Sequence, residues 1–317
     1  MAKYLITGGA GFIGSTLANY LLKKNSVVVV DDLSMGKKEN LIEHSNLEFI
    51  EGSVIDEKLM TGLLSQSSFD YIFHFAAVAS VADSVERPVE THQVNFESVL
   101  LLLELVRKYQ KNLKRLIFSS SAAVYGDEPT LPKKEESVIR PLTPYAIDKF
   151  AAEQYVLDYN NLYGVNTSAV RFFNVYGPNQ NPESPYSGVI SILVDCYKKM
   201  QSEVKTSFTL FGDGSQSRDF VFVEDVIQAL LLVASNEDAL GKQFNVGTGE
   251  AITLNDLVEV IDNLLEMKLP IIRASERDGD IKNSISDISR LKLLGYTPKF
   301  SIQEGMLKYL RFEKIVG

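Results

Sequence analysis

Short, unbroken apolar runs punctuate the first half of the chain. KYLI (3–6), VVVV (27–30), LEFI (47–50), DYIFH (70–74), RLIF (115–118) and TSAVR (167–171) read as strands. The stretches 12–24, 56–66, 89–109 and 144–163 between them read as helices. Runs of Val, Ile and Phe without polar alternation are expected where both faces of a strand are covered, as in a parallel sheet. Strand–helix alternation of this kind predicts a doubly wound α/β domain. The rhythm changes after about residue 175, where NVYGPNQNPESPYSG (174–188) is rich in Pro, Asn, Gly and Ser and shorter elements follow. Residues 1–171 therefore read as the main body and most of the rest as a smaller cap. RDFVFVEDVIQALLLV (218–233) and KQFNVG (242–247) are expected to return to the sheet.

Composition narrows the partners. The 317 residues are 45% hydrophobic and 23% charged, as in an ordinary globular chain with a large core. A net charge of -9 argues against nucleic acid or an anionic membrane surface, both of which call for basic surface. It leaves room for a small anion held by a few placed arginines. The single cysteine, Cys196, rules out an internal disulfide and is expected inside a helix, buried or half-buried. His44, His74 and His92 are scattered, so no metal site is expected; His74 closes the fourth strand and should pack there. The apolar run LLLEL (101–105) is broken by Glu104, and the chain enters its first strand without a signal-peptide pattern. A cytoplasmic location is the expectation.

TGGAGFIG (7–14) follows the first strand directly and opens the first helix. Gly8, Gly11 and Gly14 let the backbone turn tightly and bring N–H groups close to a pyrophosphate at the helix N-terminus, where the dipole favours anions. The motif alone could be a glycine-rich turn. Its context weakens that reading, because the second strand ends in Asp31, at the distance the dinucleotide fingerprint requires. An acid there accepts hydrogen bonds from ribose hydroxyls and repels a 2′-phosphate. No Arg or Lys follows at once (the run is Asp31-Asp32-Leu33-Ser34-Met35-Gly36), so the pattern favours NAD over NADP.

Two Tyr-x-x-x-Lys pairs share the spacing of one helical turn: Tyr20 with Lys24, and Tyr145 with Lys149. The first pair lies late in the glycine-loop helix, away from the expected cofactor, and reads as peripheral. The second opens a helix just after the fifth strand. Ligands of doubly wound sheets collect outside the carboxyl ends of the strands. SSSAAVYG (119–126) puts hydroxyls at the same rim, so Ser121, Tyr145 and Lys149 are expected to converge on one substrate carbon. The ammonium is expected to lower the tyrosine pKa and make it a base.

TGGAGFIG, VDDLS, HFAAVASV, SSSAAVYG, PYAIDK, RFFNVYGP, RDFVFVEDV and ERDGD occur in the order found in the extended short-chain dehydrogenase/reductases. Across nearly its whole length the chain resembles the UDP-glucose and UDP-N-acetylglucosamine 4-epimerases of that family. The resemblance implies a Rossmann-like sheet with a smaller C-terminal substrate domain. Residues 1–171 and about 219–247 would bind NAD, and residues 172–218 and 248–317 would bind the sugar nucleotide. It assigns Gly8, Gly11, Phe12, Ile13 and Gly14 to the pyrophosphate loop and Asp31 to the ribose. Asp32, Ser34, Gly36, Ser53, Val54 and Phe75 fall within the cofactor set, Ala76 and Ala77 line the nicotinamide side, and Asn95 lies near the cofactor ribose. Ser121, Tyr145 and Lys149 match the catalytic hydroxyl, base and activating lysine, with Phe172 against the nicotinamide. Asn174 would reach the substrate diphosphate, Val189 and Thr209-Leu210-Phe211 would frame uracil and ribose, Arg218 and Arg277 would clamp the diphosphate, and Asp280 would hold a ribose hydroxyl. Guanidinium–phosphate pairing suits arginine to those positions. The family's Gly-Asp after the third strand reads Gly52-Ser53 here, where a serine oxygen can still accept. Its Asn-x-x-Gly-Thr reads Asn95-Phe96-Glu97-Ser98-Val99. By the same resemblance the helices near 89–109 and 144–163 would form a four-helix bundle in a homodimer.

Relatives that remove water from a sugar nucleotide carry an Asp-Glu pair after the catalytic hydroxyl, and decarboxylating relatives carry a Glu nearby. Here Ala122 and Ala123 stand in those places and cannot titrate. One base and one hydride acceptor suffice for oxidation and re-reduction at a single carbon, which is 4-epimerisation. Ser284 occupies a pocket-wall position that is bulky and aromatic or small among these epimerases. A small residue leaves room for a 2-acetamido group, which points to UDP-GlcNAc/UDP-GalNAc, with UDP-Glc/UDP-Gal alongside; Ser284 could equally be a polar loop residue. The other readings are a UDP-uronate 4-epimerase, a decarboxylase or dehydratase, and a catalytically silent NAD-binding regulator. The last has no use for an intact Ser/Tyr/Lys set.

Overall fold

The computed structural model describes residues 1–181, 188–276 and 281–317. Its centre is a seven-stranded sheet. The strands are β1 (Lys3–Thr7), β2 (Ser26–Asp31), β3 (Leu47–Glu51), β4 (Tyr71–His74), β5 (Arg115–Ser121), β6 (Thr167–Phe172) and β7 (Gln243–Val246). They lie in the order β7-β6-β5-β4-β1-β2-β3, every pair parallel. The order reverses between β1 and β4, creating the crevice where ligands of such sheets bind. Each apolar run of the sequence is one strand, and β2 shows why. Val27, Val28, Val29 and Val30 are all buried, two to each face, in separate cores above and below the sheet. This is the Rossmann-like arrangement that the sequence predicts.

One core packs the helices Phe12–Leu21 and Val223–Ser235 on the sheet; the other packs Glu57–Gln66, Ser98–Tyr109 and Pro144–Tyr163. A third core lies in the smaller lobe, between the helices Val189–Gln201, Leu254–Leu265 and Ile302–Phe312. Short strands join the lobes: Asn174–Tyr176 pairs with Phe220–Phe222, and Ser217–Arg218 sits between Ile252–Thr253 and Asn283–Ser284.

The helix expected over 89–109 is broken. Val81–Glu86 and Pro88–His92 precede a wide π-type turn at Gln93–Glu97, and only Ser98–Tyr109 runs on as a regular helix. Pro88 cannot continue the preceding helix. At the wide turn, Asn95 directs both polar atoms of its side chain at one residue: Oδ1 accepts from the Val78 amide at 2.8 Å and Nδ2 donates to the Val78 carbonyl at 3.1 Å. Ser98, where the family pattern has glycine, donates its hydroxyl to the Val94 carbonyl at 2.6 Å. Such wide turns recur at functional sites, and this one fixes the loop that follows β4.

The helix Pro144–Tyr163 coincides with its predicted span. Thr143 caps it, accepting from the Ala146 amide, Pro144 supplies a fixed φ at the first turn, and Gly164 ends it at φ +66°. Its inner face meets β6 through a buried ion pair. Arg171 donates from Nε to Glu153 at 2.9 Å and from Nη2 to the other carboxylate oxygen, with further bonds to the Tyr125 hydroxyl and the Glu135 carbonyl. Leaving one buried charge alone costs about 3–5 kcal/mol. Glu153→Ala is therefore expected to lower unfolding stability by roughly that amount, read as a drop in the urea midpoint; a change under about 1 kcal/mol would show the pair to be dispensable.

Candidate active site

The glycine loop is shaped by contacts that only glycine allows. Gly8 has φ +68°, and a Cβ there would lie 2.6 Å from the Ala76 amide nitrogen. A Cβ on Gly14 would lie 2.3 Å from the Gly8 carbonyl oxygen. The loop thus lies directly against the Phe75–Ala76 backbone at the end of β4. Gly11 caps the helix Phe12–Leu21 with no side chain, and the first turn holds no acid. With neither a capping side chain nor an acid there, the helix start at Phe12 and Ile13 suits an anion, and the cradle fits the pyrophosphate of a dinucleotide.

Asp31 ends β2 and is buried. Its Oδ2 accepts from the Ala10 amide and its Oδ1 from the Leu33 amide, each at 2.9 Å. Burial pushes its pKa up, and the backbone N–H groups oppose that rise. A carboxylate has about four acceptor sites, so the side chain can brace the loop and still receive ribose hydroxyls. Asp32 receives both the amide and the hydroxyl of Ser34, and Gly36 packs so closely on Ala10 that a Cβ would fall 2.8 Å from its carbonyl carbon. Ser53 caps the turn after β3 by accepting from the Asp56 amide, and Val54 is buried. Half-buried Phe75 and Phe172 approach with ring centroids 6.3 Å apart, beside Ala76 and Ala77. Asn95 spends its hydrogen bonds on Val78, so it shapes this wall from behind.

Ser121 is the last residue of β5, and its hydroxyl accepts from the Ala123 amide at 3.2 Å. Tyr145 is half-buried opposite it. Burial raises the phenol pKa above its ordinary value, while a hydrogen bond with Ser121 pulls it down. This corrects the expectation of a lowered pKa: in the chain by itself desolvation outweighs the Ser121 hydrogen bond. The cation expected to lower it is Lys149. Its Nζ is buried, donates to the Ser119 carbonyl at 2.8 Å, and lies 4.9 Å from the Phe118 ring and 6.0 Å from the Tyr145 ring. Burial pulls its pKa down to about 7, with Asp148 opposing. Below it, His74 bonds to Thr7 at 2.8 Å and stacks on Phe118; burial lowers its pKa to about 3 and keeps it neutral.

Of the residues expected to face the substrate, Arg218, Ser284 and Asn174 lie on the short interlobe strands. Arg218 and Ser284 are register partners, and the Arg218 guanidinium donates to the Ser217 and Lys282 carbonyls. The exposed Asn174 begins the strand beside Phe220. Val189 opens the helix Val189–Gln201, while Thr209, Leu210 and Phe211 belong to the strand Phe208–Phe211, further into the smaller lobe. Arg277 and Asp280 lie outside the described residues. Tyr20 is 52% exposed with Lys23 over its ring, so the other tyrosine pair is peripheral. Cys196 is buried in its helix. Glu153, four residues beyond Lys149, and Asp219, the neighbour of Arg218 in RDF, carry no signal of their roles in the sequence pattern.

Lys149, with a folded pKa below the ordinary 10.5, opposes folding most strongly below pH 7. The penalty shrinks as pH rises from about 7 toward 10.5. In NAD-free protein, Lys149→Met is expected to raise the melting temperature at pH 7 by about 5 °C, with a smaller gain at pH 10. A variant that melts below the wild type at both pH values would refute this account.

The model of the NAD dependent epimerase/dehydratase family matches residues 4–247. A putative UDP-glucose 4-epimerase of Methanocaldococcus jannaschii is 35% identical over 312 residues, covering 98% of each chain. Among solved structures, a UDP-N-acetylglucosamine 4-epimerase from Methanobrevibacter ruminantium M1, in complex with UDP-N-acetylmuramic acid, is 36% identical with a TM-score of 0.92, covering 99% of this chain and 98% of that one. A UDP-glucose 4-epimerase from Thermotoga maritima, with UDP-glucose, is 36% identical with a TM-score of 0.91, covering 99% of each. With its glycine cradle, Asp31 and the Ser121–Tyr145–Lys149 set in place, the chain belongs to the NAD dependent epimerase/dehydratase family, and NAD is its cofactor.

Proposed function

We propose that this chain is a 4-epimerase of UDP-hexoses, interconverting UDP-GlcNAc and UDP-GalNAc and, alongside them, UDP-Glc and UDP-Gal. The observation that carries the reading is a phenol beside a hydroxyl that two non-titrating residues follow: Tyr145 faces Ser121, and the turn after Ser121 continues with Ala122 and Ala123. Dehydration or decarboxylation needs a further acid or base there; reversible oxidation at one carbon does not. Residues 1–171 and 219–247 hold the cofactor in this reading, and the remainder holds the sugar nucleotide.

Tyr145 removes the proton from the 4-hydroxyl, with Ser121 orienting that oxygen. When bound, NAD would supply the hydride acceptor and donor for C4. Lys149, when protonated, favours the phenolate that burial disfavours. Arg218 and Arg277 keep the nucleotide anchored while the 4-keto sugar turns over. Ser284, half-buried beside Arg218, leaves space for a 2-acetamido group.

Incubating the protein with UDP-GlcNAc and with UDP-Glc separately, without added NAD, and chromatographing the products tests the reading. A C4 epimer is expected from both. No epimer from either would refute the activity, and product from UDP-Glc alone would refute the pocket assignment. Tyr145→Phe is expected to lower turnover by a factor of at least ~100 while retaining bound NAD, and Tyr20→Phe to leave turnover unchanged.

We also propose a homodimer through the helices Val81–Glu86, Pro88–His92 and Pro144–Tyr163. Their surfaces leave Val85, Val89, Ile147 and Leu162 more than half exposed, an apolar set that a second copy would cover. Light scattering should give twice the chain mass of 35.3 kDa, and Val89→Glu with Ile147→Glu should give the monomer. A monomeric wild type would remove this proposal.

A further inference from the structure

Asp219 is fully buried, and its carboxylate is the meeting point of two chain segments. Oδ1 accepts from the Thr248 amide at 2.8 Å and the Thr248 hydroxyl at 2.7 Å. Oδ2 accepts from the Gly249 amide at 3.0 Å, the Ser286 amide at 3.1 Å and the Ser286 hydroxyl. A Cβ on Gly247 would lie 2.6 Å from Oδ2 and 2.4 Å from the Ser286 hydroxyl, so the chain leaves β7 through a glycine where the carboxylate presses on it. Gly249 follows at φ +78°.

The Asp219 backbone is committed as well. Its amide donates to the Ser284 carbonyl at 2.9 Å, and its carbonyl accepts from the Asn174 amide at 3.1 Å. Neighbouring residues of an extended strand point to opposite sides. While Asp219 faces the interior, Arg218 faces the other way. One residue thereby touches, or directly precedes or follows, three positions assigned to the substrate: Asn174, Arg218 and Ser284.

We propose that Asp219 is a positioning residue that locks the substrate-binding strands at Ser217–Arg218 and Asn283–Ser284 onto the exit of β7, fixing where the nucleotide's diphosphate and sugar sit relative to the NAD-binding sheet. The proposal rests on the sugar-nucleotide reading above. Its chemistry is acceptor-only: two donors converge on Oδ1 and three on Oδ2, and an amide in its place would turn an N–H₂ group toward some of them. The segment after β7 belongs to the same chain run as the sheet, whereas Ser286 belongs to the run carrying Ser284. Loosening either set of bonds therefore shifts the substrate strands without touching the glycine loop, Ser121, Tyr145 or Lys149.

Asp219→Asn is the direct variant and can fail to fold, so milder ones carry the test. Thr248→Val and Ser286→Ala each remove one hydroxyl donor, and Thr248→Ser restores one. The probe is UDP, titrated by calorimetry into wild type and variants, with bound NAD, KM and kcat measured on the same preparations. Thr248→Val and Ser286→Ala are expected to weaken UDP binding by about tenfold, to raise KM by more than they lower kcat, and to keep their full complement of NAD. Thr248→Ser is expected to bind UDP within about twofold of the wild type. Unchanged UDP affinity in both donor deletions overturns the proposal, as does loss of NAD in parallel with UDP or a Thr248→Ser variant as impaired as Thr248→Val. Wild-type protein that does not bind UDP overturns the sugar-nucleotide reading itself, and the proposal with it.

Discussion

The ion pair between Glu153 and Arg171 fixes the helix on which the chemistry depends. Tyr145, Lys149 and Glu153 stand four residues apart on one face of Pro144–Tyr163, so the face that meets the ligand rim at one end meets β6 at the other. A buried ion pair by itself need not stabilise a fold, because desolvation offsets the attraction. Here the surrounding groups are satisfied too. The Tyr125 hydroxyl accepts from Arg171 and donates to Asn245 at 2.6 Å, and Asn245 on β7 donates to the Lys133 carbonyl at 2.8 Å. Helix, β6, β7 and the segment after β5 are therefore held by one polar network. Lys149 adds the last bond, to the Ser119 carbonyl on β5.

That rigidity has an energetic counterpart in the site. Lys149 is buried with few polar partners, and burial holds its pKa near 7 while it raises that of Tyr145. Both shifts disfavour the ionised forms that proton transfer uses. In the proposed reaction a positive charge supplied with the cofactor would offset the cost of forming the phenolate.

Much of this could be read from the sequence, for identifiable reasons. β2 announces itself because four consecutive valines suit a strand covered on both faces, and TGGAGFIG because a glycine at φ +68° against the Ala76 backbone admits no side chain. PYAIDK marks a helix start through Pro144 and places Tyr145 and Lys149 by simple spacing. What escaped are features set by distant partners. The interruption at Asn95 arises from two bonds to Val78, seventeen residues away. Arg171 meets Glu153 and Tyr125, and Asp219 meets Thr248, Gly249 and Ser286, across gaps that periodicity does not encode. The direction of the Tyr145 shift was missed because a neighbouring lysine can be counted from sequence, whereas desolvation has to be seen.

In the proposed reaction C4 loses and regains hydride within one site, with Tyr145 as the base. It is tested most directly with UDP-GlcNAc carrying deuterium at C4, incubated in ordinary water and analysed by mass spectrometry and proton NMR. The account predicts that the epimerised sugar keeps its deuterium at C4 in full. Replacement of that deuterium by solvent hydrogen would contradict it, because the hydrogen would then have left as a proton.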